Sequence, residues 1–217
     1  IPKPKPKITE SFEIFKVDEL DYFLKAFEEK SNHYTEVYEN EKTARNKKNF
    51  EKYKISNMYY SLLARSGSRP GFELTKMKFE DLTLNGKKFG SPFFPIESFD
   101  IRIKNGKTSK TSGTRQIPAP MEFGLNLDYL CRFFYEKYYD EMIKEHPEKY
   151  IFSYSGKNKI ISDLDDVFNE VREELKEQGK IRKHIKFVPY SFRHTYITFA
   201  LVQKIDIYLL AIATGTS

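Results

Sequence analysis

Two arginines and a lysine stand in segments built to hold a side chain still. Arg69 lies just past a glycine turn in "SGSRPGFEL", at the end of an apolar run, with Glu73 four residues on. A guanidinium fixed on a tight turn offers a planar fork for two phosphate oxygens, which a lysine cannot copy. Its plainer use is an ion pair with Glu73. Lys110, in "KTSKTSGTRQIP", lies at the tip or second strand of a hairpin. There it is either a solvent-facing edge charge or an acid that protonates a leaving oxygen. In "YSFRHT", Tyr190 and Arg193 are three apart and share the face of a helix's first turn. A helix start already favours phosphate through its N–H groups and dipole, and Arg193 adds charge-assisted donors. His194 points to another face and reads as a packed, hydrogen-bonded core histidine.

Positioning these groups requires a mostly helical α+β chain with one small antiparallel sheet. Leu20, Phe23, Leu24 and Phe27 predict an amphipathic helix over 18–30; the charged 34–50 and the apolar 53–64 predict two more. Two glycines and a proline force a turn at 65–71, and a short helical stretch follows. Alternating residues over 83–118 predict the sheet, and 121–143 returns to helix with Leu127, Leu130, Cys131 and Phe134 on one face. "YIFSYSG" reads as extended. Ser162 and Asp165 suggest a capping box for 163–178, whose Leu164, Val167, Phe168, Val171 and Leu175 form a stripe ended by Gly179. Helices over 190–203 and 207–214 close the chain, the second capped by Asp206 and stopped by Gly215.

The 217 residues suffice for a large core, and a content of 39% hydrophobic and 16% aromatic residues argues against disorder. Net charge is +6, which favours an anionic partner. Two runs carry basic residues with no acid among them: Arg102, Lys104, Lys107, Lys110 and Arg115, then Lys180, Arg182, Lys183, Lys186 and Arg193. The single Cys131 excludes a disulfide framework and a multi-cysteine zinc site, which fits a reducing cytoplasm. No run reaches the ~20 apolar residues of a membrane span. The opening "IPKPKPKITES" reads as a linker over 1–11, with the main domain over 12–217.

Arg69 in "SGSRPGFE", Lys110 in "SKTSGTRQIP", Arg193 in "YSFRHT" and the closing "LLAIATGTS" resemble, in order, the motifs of the tyrosine recombinase (phage integrase) catalytic domain. The resemblance spans roughly 12–217. It implies site-specific recombination of double-stranded DNA, integrating or excising a prophage or mobile element through a 3′-phosphotyrosyl intermediate. Arg69 and Arg193 would stabilise the phosphorane and Lys110 would be the acid, with no metal or other cofactor. It also implies a tetramer on DNA from monomers free in solution, in a bacterial cytoplasm and on the nucleoid when DNA-bound. Two positions depart from the pattern. Tyr190 stands where the family usually has histidine; a phenol donates a hydrogen bond but is a weak base near neutrality. Thr216 stands where the family has the histidine of "GH". None of the tyrosines occupies the nucleophile's place, so the attacking tyrosine is expected beyond Ser217, and a DNA-clamping domain is expected before the linker. A catalytically silent DNA-binding relative and a type IB topoisomerase-like enzyme are the alternatives.

Overall fold

Phe23 and Phe27 recur at helical spacing and anchor the first helix of the computed structural model, which describes residues 13–89, 96–104, 114–154 and 158–215. This helix, α1 (Val17–Asn40), buries both rings, with Leu20 and Leu24 packed at the margin of the core. The expected separate helix over 34–50 is not formed. Instead α1 runs to Asn40, the chain turns at 41–43, and α2 (Ala44–Ser66) begins behind Thr43, whose hydroxyl accepts from the Asn46 amide at 3.1 Å. In its second half α2 is buried nearly all round: Ile55, Met58, Tyr59, Tyr60, Leu62 and Leu63 are covered together with Ser56 and Asn57, which makes it the central helix.

After the turn at 67–71 and the one-turn helix α3 (Phe72–Thr75), the period changes from helical to two. Strands β1 (Leu82–Phe89), β2 (Ile96–Ile103) and β3 (Arg115–Pro118) form an antiparallel sheet in the order β1-β2-β3. Leu82 pairs with Ile101, and Ile101 with Ile117. Phe99, Ile101 and Ile103 are buried while Asp100 and Arg102 lie partly exposed between them, so one face is sealed against the helices.

The continuous helix expected over 121–143 is interrupted. Helix α4 (Met121–Tyr135) ends where Glu136 takes the left-handed conformation at φ 54°, its amide donating to the Arg132 carbonyl at 3.1 Å; α5 (Tyr139–Glu145) restarts beyond it. Of the stretch expected to be extended, Ser153–Tyr154 forms the short strand β4, which pairs with β5 (Lys159–Ile160); residues 155 and 156 lie outside the described residues. Helix α6 (Leu164–Glu177) buries the whole predicted stripe, and Gly179 follows at φ 69°. The Ser162–Asp165 capping box does not form. Asp163 is the N-cap residue and makes no side-chain cap bond; its carboxylate is taken by the Tyr154 hydroxyl and, at 2.9 Å, by Ser162. Helices α7 (Tyr190–Val202) and α8 (Ile207–Thr214) complete the fold. Asp206 caps α8 by accepting from the Tyr208 and Leu209 amides, and Gly215 ends it at φ 63°.

Stacked rings join the layers. Phe15 lies 4.6 Å from Phe187, Phe23 5.4 Å from Phe168, and Phe27 4.4 Å from Tyr60, tying the entering chain, α1, α2 and α6 into one core. Among the described residues no helix is long and apolar enough to cross a membrane. Helices α7 and α8 nevertheless present Val202, Ile207, Tyr208, Leu209 and Ile212 to solvent.

Candidate active site

The turn after α2 has to reverse the chain inside the core. Gly67 supplies a left-handed φ of 60°, and a Cβ there would lie 2.3 Å from Cδ1 of Tyr196, so a larger residue would strain the backbone and displace that ring. Gly71 (φ 86°) donates its amide to the Tyr59 hydroxyl at 2.8 Å. Ser66 and Ser68 are buried and bonded to each other. Arg69 projects from this braced turn.

Two guanidinium groups meet at the end of α8. Arg69 Nη2 donates to the Gly215 carbonyl at 2.6 Å, and Arg193 Nη1 donates to the preceding carbonyl, of Thr214, at 2.7 Å. Arg193 Nη1 also holds the Gly67 carbonyl at 2.5 Å, and this side chain is buried. One cationic cluster therefore joins the α2 turn, the first turn of α7 and the last turn of α8, where cations suit the negative end of the helix dipole. Burial lowers the Arg193 pKa from its ordinary value, and repulsion from Arg69 lowers it further.

Glu73 lies under this cluster. Its carboxylate accepts from the Arg69 amide at 2.5 Å and from Arg69 Nη1 at 3.3 Å, so the anticipated Arg69–Glu73 pair is present. Arg115 grips the same carboxylate with both ends of its fork, Nη1 at 3.1 Å and Nη2 at 2.7 Å, and lies 3.4 Å from the Ser68 hydroxyl. The sequence reading placed Arg115 only in a basic run. The signal was available: Arg115 lies two residues before buried Ile117 on β3, hence on the inward face.

The basic runs are less free than the sequence implied. Lys104 pairs with Asp81 at 2.7 Å, Arg115 with Glu73, and Arg182 with buried Glu19 at 2.8 Å. Each acid comes from a distant segment. The start of α7 also differs from expectation. Its Ser191 amide donates to the Val188 carbonyl at 2.8 Å and its Phe192 amide to Pro189 at 3.3 Å, so these N–H groups are already engaged. Ser191 and Thr195 serve the fold: the Thr195 hydroxyl donates to the Ser191 carbonyl and accepts the Phe15 amide, both at 2.8 Å. His194 shares a face with Tyr190 after all, with ring centroids 5.1 Å apart, and it is half-buried rather than core. Burial, and then Arg193, lower its pKa and favour the neutral imidazole. Lys110 and Thr216 lie outside the described residues. Among those described, no group of three His, Cys, Asp or Glu side chains is placed to hold a metal.

No protein-family model matches the sequence, and no curated protein matches it. Solved structures do. The XerH site-specific recombinase bound to its difH substrate is 18% identical with a TM-score of 0.59, over 94% of this chain and 47% of that one. The XerA recombinase is 17% identical at 0.54, over 100% and 58%. The integrase of transposon Tn1549, in complex with circular intermediate DNA, is 14% identical at 0.54, over 98% and 60%. The chain has the fold of the tyrosine-recombinase catalytic domain. It spans about half to three-fifths of the length of these proteins.

Proposed function

We propose that this domain carries out site-specific DNA recombination, integrating or excising a prophage or other mobile element by transesterification. The observation that carries the reading is the convergence of Arg69 and Arg193 on successive carbonyls at the end of α8, in a fold shared with DNA recombinases. In this account a tyrosine hydroxyl, supplied from beyond Ser217, attacks the scissile phosphorus. The Tyr O–P bond forms, the bond from phosphorus to the 5′-oxygen breaks, and the phenolic proton leaves to solvent or a neighbouring base. Lys110 gives a proton to the departing 5′-oxygen. The 3′-phosphotyrosyl ester conserves the bond energy for rejoining. Arg69 and Arg193 neutralise charge that grows on the non-bridging oxygens, and they do so without reorganising because the Gly67, Thr214 and Gly215 carbonyls already hold them. Tyr190 and Thr216 contribute hydrogen bonds to the same oxygens. The exposed apolar side chains of α7 and α8 support a tetramer assembled on DNA, where such a surface would be covered.

Phosphate contacts should dominate affinity. Titrating residues 1–217 with labelled duplex at several salt concentrations is expected to give a log–log slope of about −3 or steeper, as for three or more neutralised phosphates. Binding that ignores salt, or no binding even at low salt, would remove phosphate-mediated DNA binding from the account.

A further inference from the structure

We infer that Arg115 is a positioning residue that acts through Glu73: by occupying this carboxylate it keeps Arg69 available to the DNA phosphate. The inference rests on the recombinase reading above. Glu73 is buried and bears one negative charge, yet two guanidinium groups reach it. They do not share it equally. Arg115 is bidentate at 2.7 and 3.1 Å, whereas the Arg69 side chain makes one contact of 3.3 Å and turns its other end to Gly215. A bidentate carboxylate–guanidinium pair is close to self-neutralised. Arg69 is therefore left with most of its charge uncompensated.

Arg193 registers that excess. Besides burial, its pKa is lowered by both Arg69 and Arg115, and Glu73 opposes them. Without Arg115, the guanidinium left in contact with the buried Glu73 carboxylate would be that of Arg69. The carboxylate would close on Arg69 with both oxygens, drawing the fork away from the phosphate and cancelling its charge. Among the described residues the buried Nε of Arg115 has no hydrogen-bond partner, and the side chain is held by Glu73 and Ser68.

A charge-swap series tests this, read as the rate of covalent protein–DNA adduct formation in a chain extended through its attacking tyrosine. Arg115→Met is expected to slow adduct formation by about 100-fold, the scale of losing one transition-state contact. Adding Glu73→Gln removes the carboxylate that captures Arg69, and the double variant is expected to recover to within about tenfold of the parent. A merely structural ion pair predicts the reverse, since deleting its second half would repair nothing at Arg69. The idea is wrong if the double variant, folded by circular dichroism, stays as slow as Arg115→Met, or if Arg115→Met itself runs at the parental rate. The double variant decides the matter even where the single one fails to fold. Should the parent form no adduct, the recombinase chemistry is what has failed. The same three proteins are then ranked by duplex affinity, where parent and double variant are expected to bind alike and Arg115→Met more weakly; any other order overturns the inference.

Discussion

Arg193→Lys should abolish most DNA cleavage while keeping the charge. Arg193 is buried, and its Nη1 alone holds the carbonyls of Gly67 and Thr214, at 2.5 and 2.7 Å. A lysine ammonium is a point charge without a planar fork, so it cannot hold both carbonyls and present fixed donors to a phosphate. The expected loss in adduct formation is about 10²–10³-fold, the scale of one preorganised donor. Arg193→Ala should cost more, because it also strands two carbonyls; a loss of about 3–5 kcal/mol in unfolding free energy is expected, measured by urea denaturation. A lysine variant that cleaves at the parental rate would show that Arg193 serves only to dock α8.

Gly67→Ala is expected to be the most damaging small substitution, at about 2–5 kcal/mol. Two costs add. A non-glycine residue at φ 60° is strained by roughly 1–2 kcal/mol, and a Cβ lying 2.3 and 2.8 Å from two ring atoms of Tyr196 forces that ring to move, at about 1–3 kcal/mol. The displaced turn also carries the carbonyl that Arg193 holds and the backbone of Arg69. Adding Tyr196→Ala should return the packing part of the loss but not the backbone part. A urea midpoint for Gly67→Ala close to the parent's would contradict this account of the turn.

Much of the frame was legible because it is local. The α6 stripe, the alternation of β2, the glycines of the α2 turn and the Asp206 and Gly215 caps are all set by neighbours within a few residues. Helix breaks without a marker were not. Glu136 reverses the chain with neither glycine nor proline, and the stop at 41–43 is signalled only by Thr43 ahead of Asn46. The Ser162–Asp165 box misled because the helix begins one residue later, behind Asp163, and the Ser162 hydroxyl donates to the Asp163 carboxylate instead.

The same division runs through the site. The Arg69 turn and the first turn of α7 were visible as motifs, but the partners of their charges lie far off in sequence. Glu19 neutralises Arg182 across the chain, Glu73 is held by Arg115 from the sheet, and the α8 carbonyls reach back to Arg69. Composition counted these basic residues as free. Tertiary pairing decides which of them are. His194 was misplaced for a simpler reason: at i and i+4 it lies beside Tyr190, not away from it.

The central claim is that this cluster activates a DNA phosphodiester for attack by a tyrosine. A form of the chain carried past Ser217 through its next tyrosine, incubated in EDTA with a nicked duplex bearing its recombination site, tests it directly. The expected result is a protein–DNA adduct that survives denaturation, joined through tyrosine to the 3′-phosphate, with a free 5′-hydroxyl on the released strand. Cleavage that requires Mg²⁺, leaves no adduct and releases a 5′-phosphate would contradict it.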